Sequence, residues 1–538
     1  MQPMSVTEPL AQATVAIRAA IGPGIGVGHY MRCLVLARAL QDRGHAPVFL
    51  IDDLQAVERL PRPFACVEVE HGDPEADQAR VASLLADTRV GVLVVDDYRL
   101  GAAWEAALSR EDRLVVAIDD LCRKHAAALV VDPRWQGPQT ATAYDRRVAA
   151  GAVVLAGPAY SLVDPRLRGS ADQAGAGCRV LLTLGGGGDA RLLADLSEAL
   201  LRSAGGQDGL EILAVVGPVA TGRQRIMDLA AAEPRVSVVE APAGLGPLYR
   251  RCHLAICAAG GTINELTMAG IPAISFPLAA NQANDPVHLS QLGHLFHVPD
   301  FSIDDLPQVA SLLHLLRARR PALVEAMRRA PMAPDGRGGE RVAAAVETLL
   351  AGKVPAPVAP VLPPDTRGRD LGNGYRIRAV DDGDCNHYLS CRNLPVNRRR
   401  MLHREPIRTI DHYRWWCTTD RRSWLLSQGG GPSLYIWHRV VRVDGGQWLV
   451  GGWFVCSERT GYQEALLALQ WQLATCRAEH PGLRWIAVIH RDNRYVQKLN
   501  TYLGFDTLDD PADPAHRAIR GFFADPDPQE YVYVCTRH

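Results

Sequence analysis

The chain has 538 residues, 47% of them hydrophobic, which is enough for roughly three domains of ordinary size with ample core. A formal net charge of −1 removes the electrostatic case for nucleic acid or an anionic membrane, and the short basic run Arg398-Arg399-Arg400 is too local to restore it. Twelve scattered cysteines show no CxxC pair and no zinc-type His/Cys spacing. There is no signal-like N-terminus and no run of 18 apolar residues, so reduced buried thiols, a cytoplasmic location, no metal and no stable membrane insertion are expected.

The first dozen residues, MQPMSVTEPLAQ, read as a disordered lead-in. TVAIRAA is then a short apolar strand, the glycine loop IGPGIGVGH follows, and Tyr30 to Leu40 has helical apolar spacing. Gly44 ends that helix and PVFLID is the next strand. Gly28 and His29 lie at the loop-to-helix junction, at the carboxyl edge where open α/β sheets bind ligands. A helix N-terminus lowers a histidine's proton affinity and suits His29 to act as a base; capping the helix is its structural alternative. VGVLVVDDY, LVVAIDDL and AALVVDP are further strands, ending in Asp96-Asp97-Tyr98, Asp119-Asp120 and Asp132. Acids in such places commonly cap the next helix. Asp97 and Tyr98 are the ones singled out as substrate contacts, Asp97 with a catalytic role.

SADQAGAG reads as a small-residue linker, after which RVLLTLGGGGDARLL opens a second strand–helix series. Gly185, Gly186, Gly187 and Gly188 make a glycine turn before its first helix, and EILAVVGP, VSVVEAP, LAICA and PAISFPL are its later strands. The stretch CAAGGTINELTMAGIPAISFPLAANQ is strand, glycine turn, helix and strand. Gly260, Gly261 and Thr262 would present free amides and the positive end of a helix dipole to a diphosphate. Glu265, one turn into the helix, would repel a phosphate but accept from a ribose diol, and Asn281-Gln282 would reach a sugar, Asn281 with a catalytic role. The plainer alternative is that the glycines close a turn and Glu265 caps the helix. The expected architecture is α/β with two Rossmann-like halves, 13–168 and 177–350.

GIGVGHYMRCLVLARAL, VVDDY, IDDL, AGPAYSLV, LLTLGGGGD and AAGGTINELTMAGIPAI…NQ, in that order, resemble the PseG family. These are UDP-2,4-diacetamido-2,4,6-trideoxy-β-L-altropyranose hydrolases of pseudaminic acid biosynthesis, related to MurG-type GT-B glycosyltransferases. The resemblance implies a GT-B fold over about 13–345, with the catalytic histidine on His29. It places the nucleotide turns on Gly185–Gly188 and Gly260-Gly261-Thr262, the ribose acid on Glu265, and the Asn-Gln pair on Asn281 and Gln282. The fourth glycine of GGGGD is a departure from the family pattern.

Past Leu350, AGKVPAPVAPVLPPDTRGRD carries five prolines and reads as a semi-rigid linker over 351–370. YRIRA, SLYIWHRV, QWLVGGWFV, RWIAVIH and EYVYVCTR are strands of a domain over 371–538, with helices at YQEALLALQWQLATCRAE and DNRYVQKLNTYLGF. Arg392-Asn393-Leu394-Pro395, His412 with Trp415, and Asn493 through Gly504-Phe505 resemble a GNAT acyltransferase of the PseH or RimJ type. The resemblance implies acetyl-CoA as cofactor, with Asn493 on the cofactor arm. The cofactor loop departs from the family pattern: SERTGYQEA offers one glycine, Gly461, with Arg459 as the compensating cation. Asn500 stands where a tyrosine general acid is expected, leaving Tyr502 as the candidate acid. Trp415, Trp416, Trp437, Trp448 and Trp453 read as core.

The two resemblances together imply a bifunctional chain that N-acetylates a 4-amino UDP-sugar and then releases UDP, possible partners being other enzymes of the same pathway. Two further readings stay open: a glycosyltransferase that uses a UDP-sugar, and a hydrolase whose GNAT-like domain only binds substrate or a partner.

Overall fold

The computed structural model describes residues 7–22, 25–58, 60–69, 72–169, 177–204, 209–242, 244–279 and 282–537. The chain divides into two compact units, 1–362 and 363–538.

The first unit opens with α1 (Thr7–Gln12), where a disordered lead-in was expected; its Leu10 is buried in the core of the first half. There follow β1 (Val15–Ala19), α2 (Gly28–Gln41), β2 (Pro47–Ile51), β3 (Ala65–Glu68), α3 (Pro74–Leu84), β4 (Val92–Asp96), α4 (Ala102–Leu108), β5 (Leu114–Ile118), β6 (Leu129–Asp132) and β7 (Val153–Ala156). These strands pair in parallel in the order β3-β2-β1-β4-β5-β6-β7. Runs such as VLVVD and LVVD are buried throughout, as central parallel strands covered on both faces must be.

The second half repeats the plan with β8 (Cys178–Thr183), α5 (Arg191–Ala204), β9 (Leu210–Val216), α6 (Gln224–Ala232), β10 (Val236–Glu240), α7 (Gly246–Tyr249), β11 (Leu254–Ala258), α8 (Thr262–Ala269), β12 (Ala273–Phe276), α9 (Pro286–Leu292) and β13 (Phe296–His297). Its sheet is again parallel, in the order β10-β9-β8-β11-β12-β13. Two sheets of this order in one unit are the two-Rossmann, GT-B-type architecture expected from the sequence. Helix α10 (Leu306–Arg328) follows, and α11 (Gly338–Leu350) then crosses back. Val342, Ala343, Ala345 and Val346 of α11 are buried in the core of the first half, so this helix, placed by sequence in the second half, is packed on the first.

The second unit contains β14 (Arg369–Gly372), β15 (Tyr375–Ala379), α12 (Cys385–Arg392), α13 (Pro395–Arg398), α14 (Thr409–Thr418), β16 (Arg422–Gln428), β17 (Gly431–Val443), β18 (Gly446–Val455), α15 (Tyr462–Glu479), β19 (Ile486–His490), α16 (Arg494–Tyr502), β20 (Phe505–Thr507), α17 (Pro514–Phe522) and β21 (Tyr531–Thr536). β14 to β18 form an antiparallel five-stranded sheet, and β19-β21-β20 a separate antiparallel one. The two sheets touch where Leu449 N–H donates to the Arg484 carbonyl at 2.9 Å and then diverge, leaving β18 and β19 splayed.

Candidate functional site

In an open parallel sheet the ligand crevice lies beyond the carboxyl ends of the strands where their order reverses. That point falls between β1 and β4 in the first half and between β8 and β11 in the second. The loop after β1 leads to Gly28 and His29 in the first turn of α2, and β4 ends on Asp96. The two strands thereby bring together a pair that sequence reasoning did not join. His29 Nδ1 lies 2.7 Å from Asp96 Oδ1. A carboxylate only accepts, so Nδ1 carries a proton, and Nε2 has no hydrogen-bond partner among the described residues. Arg32, one turn along α2, forks onto the same carboxylate at 2.6 Å (Nε) and 2.5 Å (Nη2) and reaches Asp120 at 2.8 Å. Burial opposes the charge on Asp96, but Arg32 and His29 outweigh it and hold the carboxyl well below its ordinary range. The Tyr98 ring meets the imidazole edge-on at 4.6 Å. Its hydroxyl donates to Asp120, so Tyr98 fixes the wall of the site and its hydroxyl is already engaged.

Asp97 is placed differently from the expectation. Successive residues of a strand face opposite ways, and Asp97 turns from His29 into a buried cluster. There it takes Arg99 Nε at 2.8 Å and lies 4.0 Å from Arg18, which donates to Asp77 at 2.6 Å and also pairs with Asp52. Removing one buried charge from such a cluster is costly, so Asp97 is a structural residue of the first half. Asp119 and Asp132 are likewise committed, Tyr144 donating to Asp119 at 2.8 Å with Asp132 at 3.1 Å from the same hydroxyl, and Arg123 donating to Asp119 and Arg134 to Asp132.

Buried His125 sits 2.7 Å from Glu105 and 3.2 Å from Asp119. Burial works against its proton, yet the two carboxylates raise it to about 9. In the second half, His294 and His297 both contact Ser275 Oγ, at 2.6 and 2.9 Å, and burial drives them down to about 3 and about 4. The signs oppose one another. The His125 contribution is complete below pH 6.5 and is lost as pH rises toward 9, a change of about 3 kcal/mol. The His294 and His297 contributions are lost as pH falls below 6.5, where only the unfolded chain takes up those protons. The first unit is therefore expected to melt highest near pH 6.5, with Tm on the order of 5 °C lower by pH 8.5. His125→Gln is expected to flatten the alkaline limb; an unchanged limb in that variant would show that His125 does not carry the buried charge.

In the second half the glycine turn Gly185–Gly188 follows β8, and Gly260-Gly261 follow β11 with Gly261 as N-cap of α8, so both turns flank the switch point. Gly186 abuts Val27, the N-cap of α2: a Cβ there would lie 2.5 Å from Val27 Cγ2 and 2.9 Å from its nitrogen. The glycine turn thus meets the loop that carries His29. Glu265, in the first turn of α8, accepts from Tyr249 Oη through Oε2 at 2.5 Å, and Oε1 has no partner among the described residues. Burial raises this carboxyl against that hydrogen bond. Gln282 folds over the turn, its Oε1 accepting from Leu278 N–H at 2.9 Å. Asn281 lies outside the described residues, as do Gly24 of the first loop and most of the linker stretch 170–177.

The second unit holds a cavity of about 470 Å³ where β18 and β19 diverge. Gly451, Gly452, Trp453 and Val455 form one wall, Ala487 to His490 the other, and Ala465, Leu469 and Gln472 of α15 lie between. Gly461 caps α15 and, with Asn493, lines the cavity. Arg459 is exposed and is not among the lining residues; neither is Tyr502, which is 76% exposed, whereas Tyr495 and Asn500 do line it. Trp453, read as core, is a wall of this cavity. Burial pushes His412 down to about 4, and its Nε2 lies 3.0 Å from the Cys385 carbonyl, a structural arrangement. Asn393 clamps Ile407 through both its carbonyl and its amide, at 2.9 and 3.0 Å.

No family model matches the sequence, and no curated protein does. Among solved structures, a putative UDP-N-acetylglucosamine 2-epimerase from Listeria monocytogenes is 12% identical with a TM-score of 0.45, over 63% of this chain and 98% of its own. MurG from Acinetobacter baumannii is 16% identical with a TM-score of 0.42, over 62% and 100%. An S. aureus MnaA–UDP co-structure is 12% identical with a TM-score of 0.46, over 64% and 99%. Among the described residues no helix is long and apolar enough to cross a membrane.

Proposed function

We propose that the first unit hydrolyses a UDP-sugar, and that the sugar is the 2,4-diacetamido-2,4,6-trideoxy hexose implied by the PseG resemblance. The observation that carries this reading is the His29–Asp96 pair at the β1/β4 switch point, with Nε2 unengaged and the Gly185–Gly188 turn pressed against the same loop. His29 takes a proton from water through Nε2. The water oxygen bonds to the anomeric carbon, the bond from that carbon to the diphosphate oxygen breaks, and its electron pair leaves with UDP, inverting the centre. Amides of the glycine turns and the N-terminus of α8 receive the charge that grows on the diphosphate, and Oε1 of Glu265 accepts from the ribose.

The second unit, in this reading, is a GNAT N-acetyltransferase. The support is its splayed β18 and β19 with a cavity of about 470 Å³ between them, at the N-terminus of α15. The cavity would hold acetyl-CoA; the 4-amino nitrogen of the UDP-sugar would bond to the acetyl carbonyl carbon as the C–S bond breaks, the nitrogen losing a proton and CoA leaving as the thiol. Two successive steps in one chain raise the effective concentration of the shared intermediate. The test is an NMR time course with the 4-amino UDP-sugar. With acetyl-CoA the full chain is expected to release free diacetamido sugar and UDP. Hydrolysis of only the already diacetylated nucleotide would remove the acetyltransferase assignment, and an intact diacetylated nucleotide would remove the hydrolase assignment.

A further inference from the structure

The second unit brings together three soft ligands that no contiguous motif announces. His387 and Cys391 are four residues apart on α12, hence on one helical face, and Cys456 follows directly on β18. One ligand atom from each lies within 4.8 Å of the others. His387 Nε2 is 3.5 Å from Cys391 Sγ. Tetrahedral zinc, with Zn–S about 2.3 Å and Zn–N about 2.05 Å, sets that N···S separation at roughly 3.6 Å. The other ring nitrogen, Nδ1, is 2.9 Å from the Tyr435 hydroxyl, an outer partner of the kind that orients a metal-bound imidazole. Cys391 is buried, and His387 and Cys456 are partly buried.

We propose that His387, Cys391 and Cys456 bind a thiophilic divalent cation of the zinc type, with the fourth position left to water or an incoming ligand. Two thiolates and a neutral imidazole around a dication are together uncharged, which a largely buried site tolerates. Cys456 adjoins Ser457 of the cavity wall, so the ion would tie α12 to the segment leading to α15. The site stands on its own geometry, whatever the cavity accepts.

The test uses the full chain, purified in reductant and stripped with a chelator. Titration with Zn²⁺ alone is expected to fill one equivalent per chain with proton release, and Co²⁺ is expected to give a thiolate charge-transfer band. Cys391→Ser and Cys456→Ser are each expected to weaken Zn²⁺ binding at least 100-fold and to diminish the band at saturating Co²⁺, one thiolate remaining, with Cys66→Ser unchanged. His387→Gln is expected to weaken binding while keeping the band, and circular dichroism reports whether each variant is folded. The Co²⁺ spectrum of the unaltered chain decides the matter even where a variant does not fold. Absence of the thiolate band, Zn²⁺ binding equal in folded Cys391→Ser and wild type, or a Cys391–Cys456 disulfide in the reductant-purified protein would each overturn the proposal.

Discussion

Alanine at His29 is expected to lower sugar-nucleotide cleavage by about three orders of magnitude while UDP affinity stays within a few-fold of wild type. The split follows from placement. His29 belongs to the first half, on α2, whereas both glycine turns and Glu265 belong to the second, so the substitution removes a proton acceptor and leaves the nucleotide contacts intact. Asp96→Asn sharpens the test. An amide in place of the carboxylate can donate to Nδ1, which moves the imidazole proton to Nε2 and removes the lone pair that water needs. Turnover of the folded protein is expected to fall by about 10²–10³, with a loss of stability as well because Arg32 is left short of a buried carboxylate. Asp97→Asn should do the reverse. It leaves Arg18 and Arg99 short of a buried carboxylate and is expected to cost about 3 kcal/mol of stability, with turnover by the surviving folded protein near wild type. Measuring kcat, UDP binding and Tm for all three separates the roles. Equal turnover in wild type and His29→Ala would exclude the imidazole as the base.

What could be read from the sequence was set by how local the cause is. Continuous apolar runs such as VLVVD and LVVAI declare buried parallel strands, and a glycine loop ending on Gly28-His29 declares a strand-to-helix junction. Asp96 and Asp97 are equally prominent in VVDDY; only the register, which sets Ala19 beside Asp96 as β1 pairs with β4, decides which carboxylate meets the histidine. Arg32 belongs to the same face of α2 as His29, one turn on, and that spacing was the available signal for it. β3, with the mixed tetrapeptide ACVE at a sheet edge, and β16, which begins four residues after α14, lacked the turn signals that set off other strands. The apolar stripe of α11 shows that the helix is buried but not which sheet it covers. The His387–Cys391–Cys456 cluster joins a helix to the end of a distant strand, so no spacing rule reaches it.

Gly217→Ala is expected to weaken UDP binding at least tenfold and to destabilise the first unit by about 1–3 kcal/mol. Gly217 directly follows β9, and a Cβ there would sit 2.4 Å from the Gly186 oxygen and 2.5 Å from the Gly185 oxygen, backbone atoms with no rotamer to yield. The segment beyond it is fastened to the same turn: Val219 N–H donates to the Gly186 carbonyl at 3.1 Å and Thr221 N–H to the Gly188 carbonyl at 3.0 Å. On its other side the turn has nowhere to go, because Gly186 already presses on Val27. The added methyl must therefore reorient the amides of Gly185 and Gly186, or push apart the loops of the two halves where nucleotide and reacting carbon would meet. Either response acts first on the phosphate contacts, because the clash falls on Gly185 and Gly186 themselves. Calorimetric titration with UDP checks this directly. Lowered Tm with unchanged UDP affinity would mean that the Gly185–Gly188 turn is a packing device, and would move the diphosphate to the N-terminus of α8 alone.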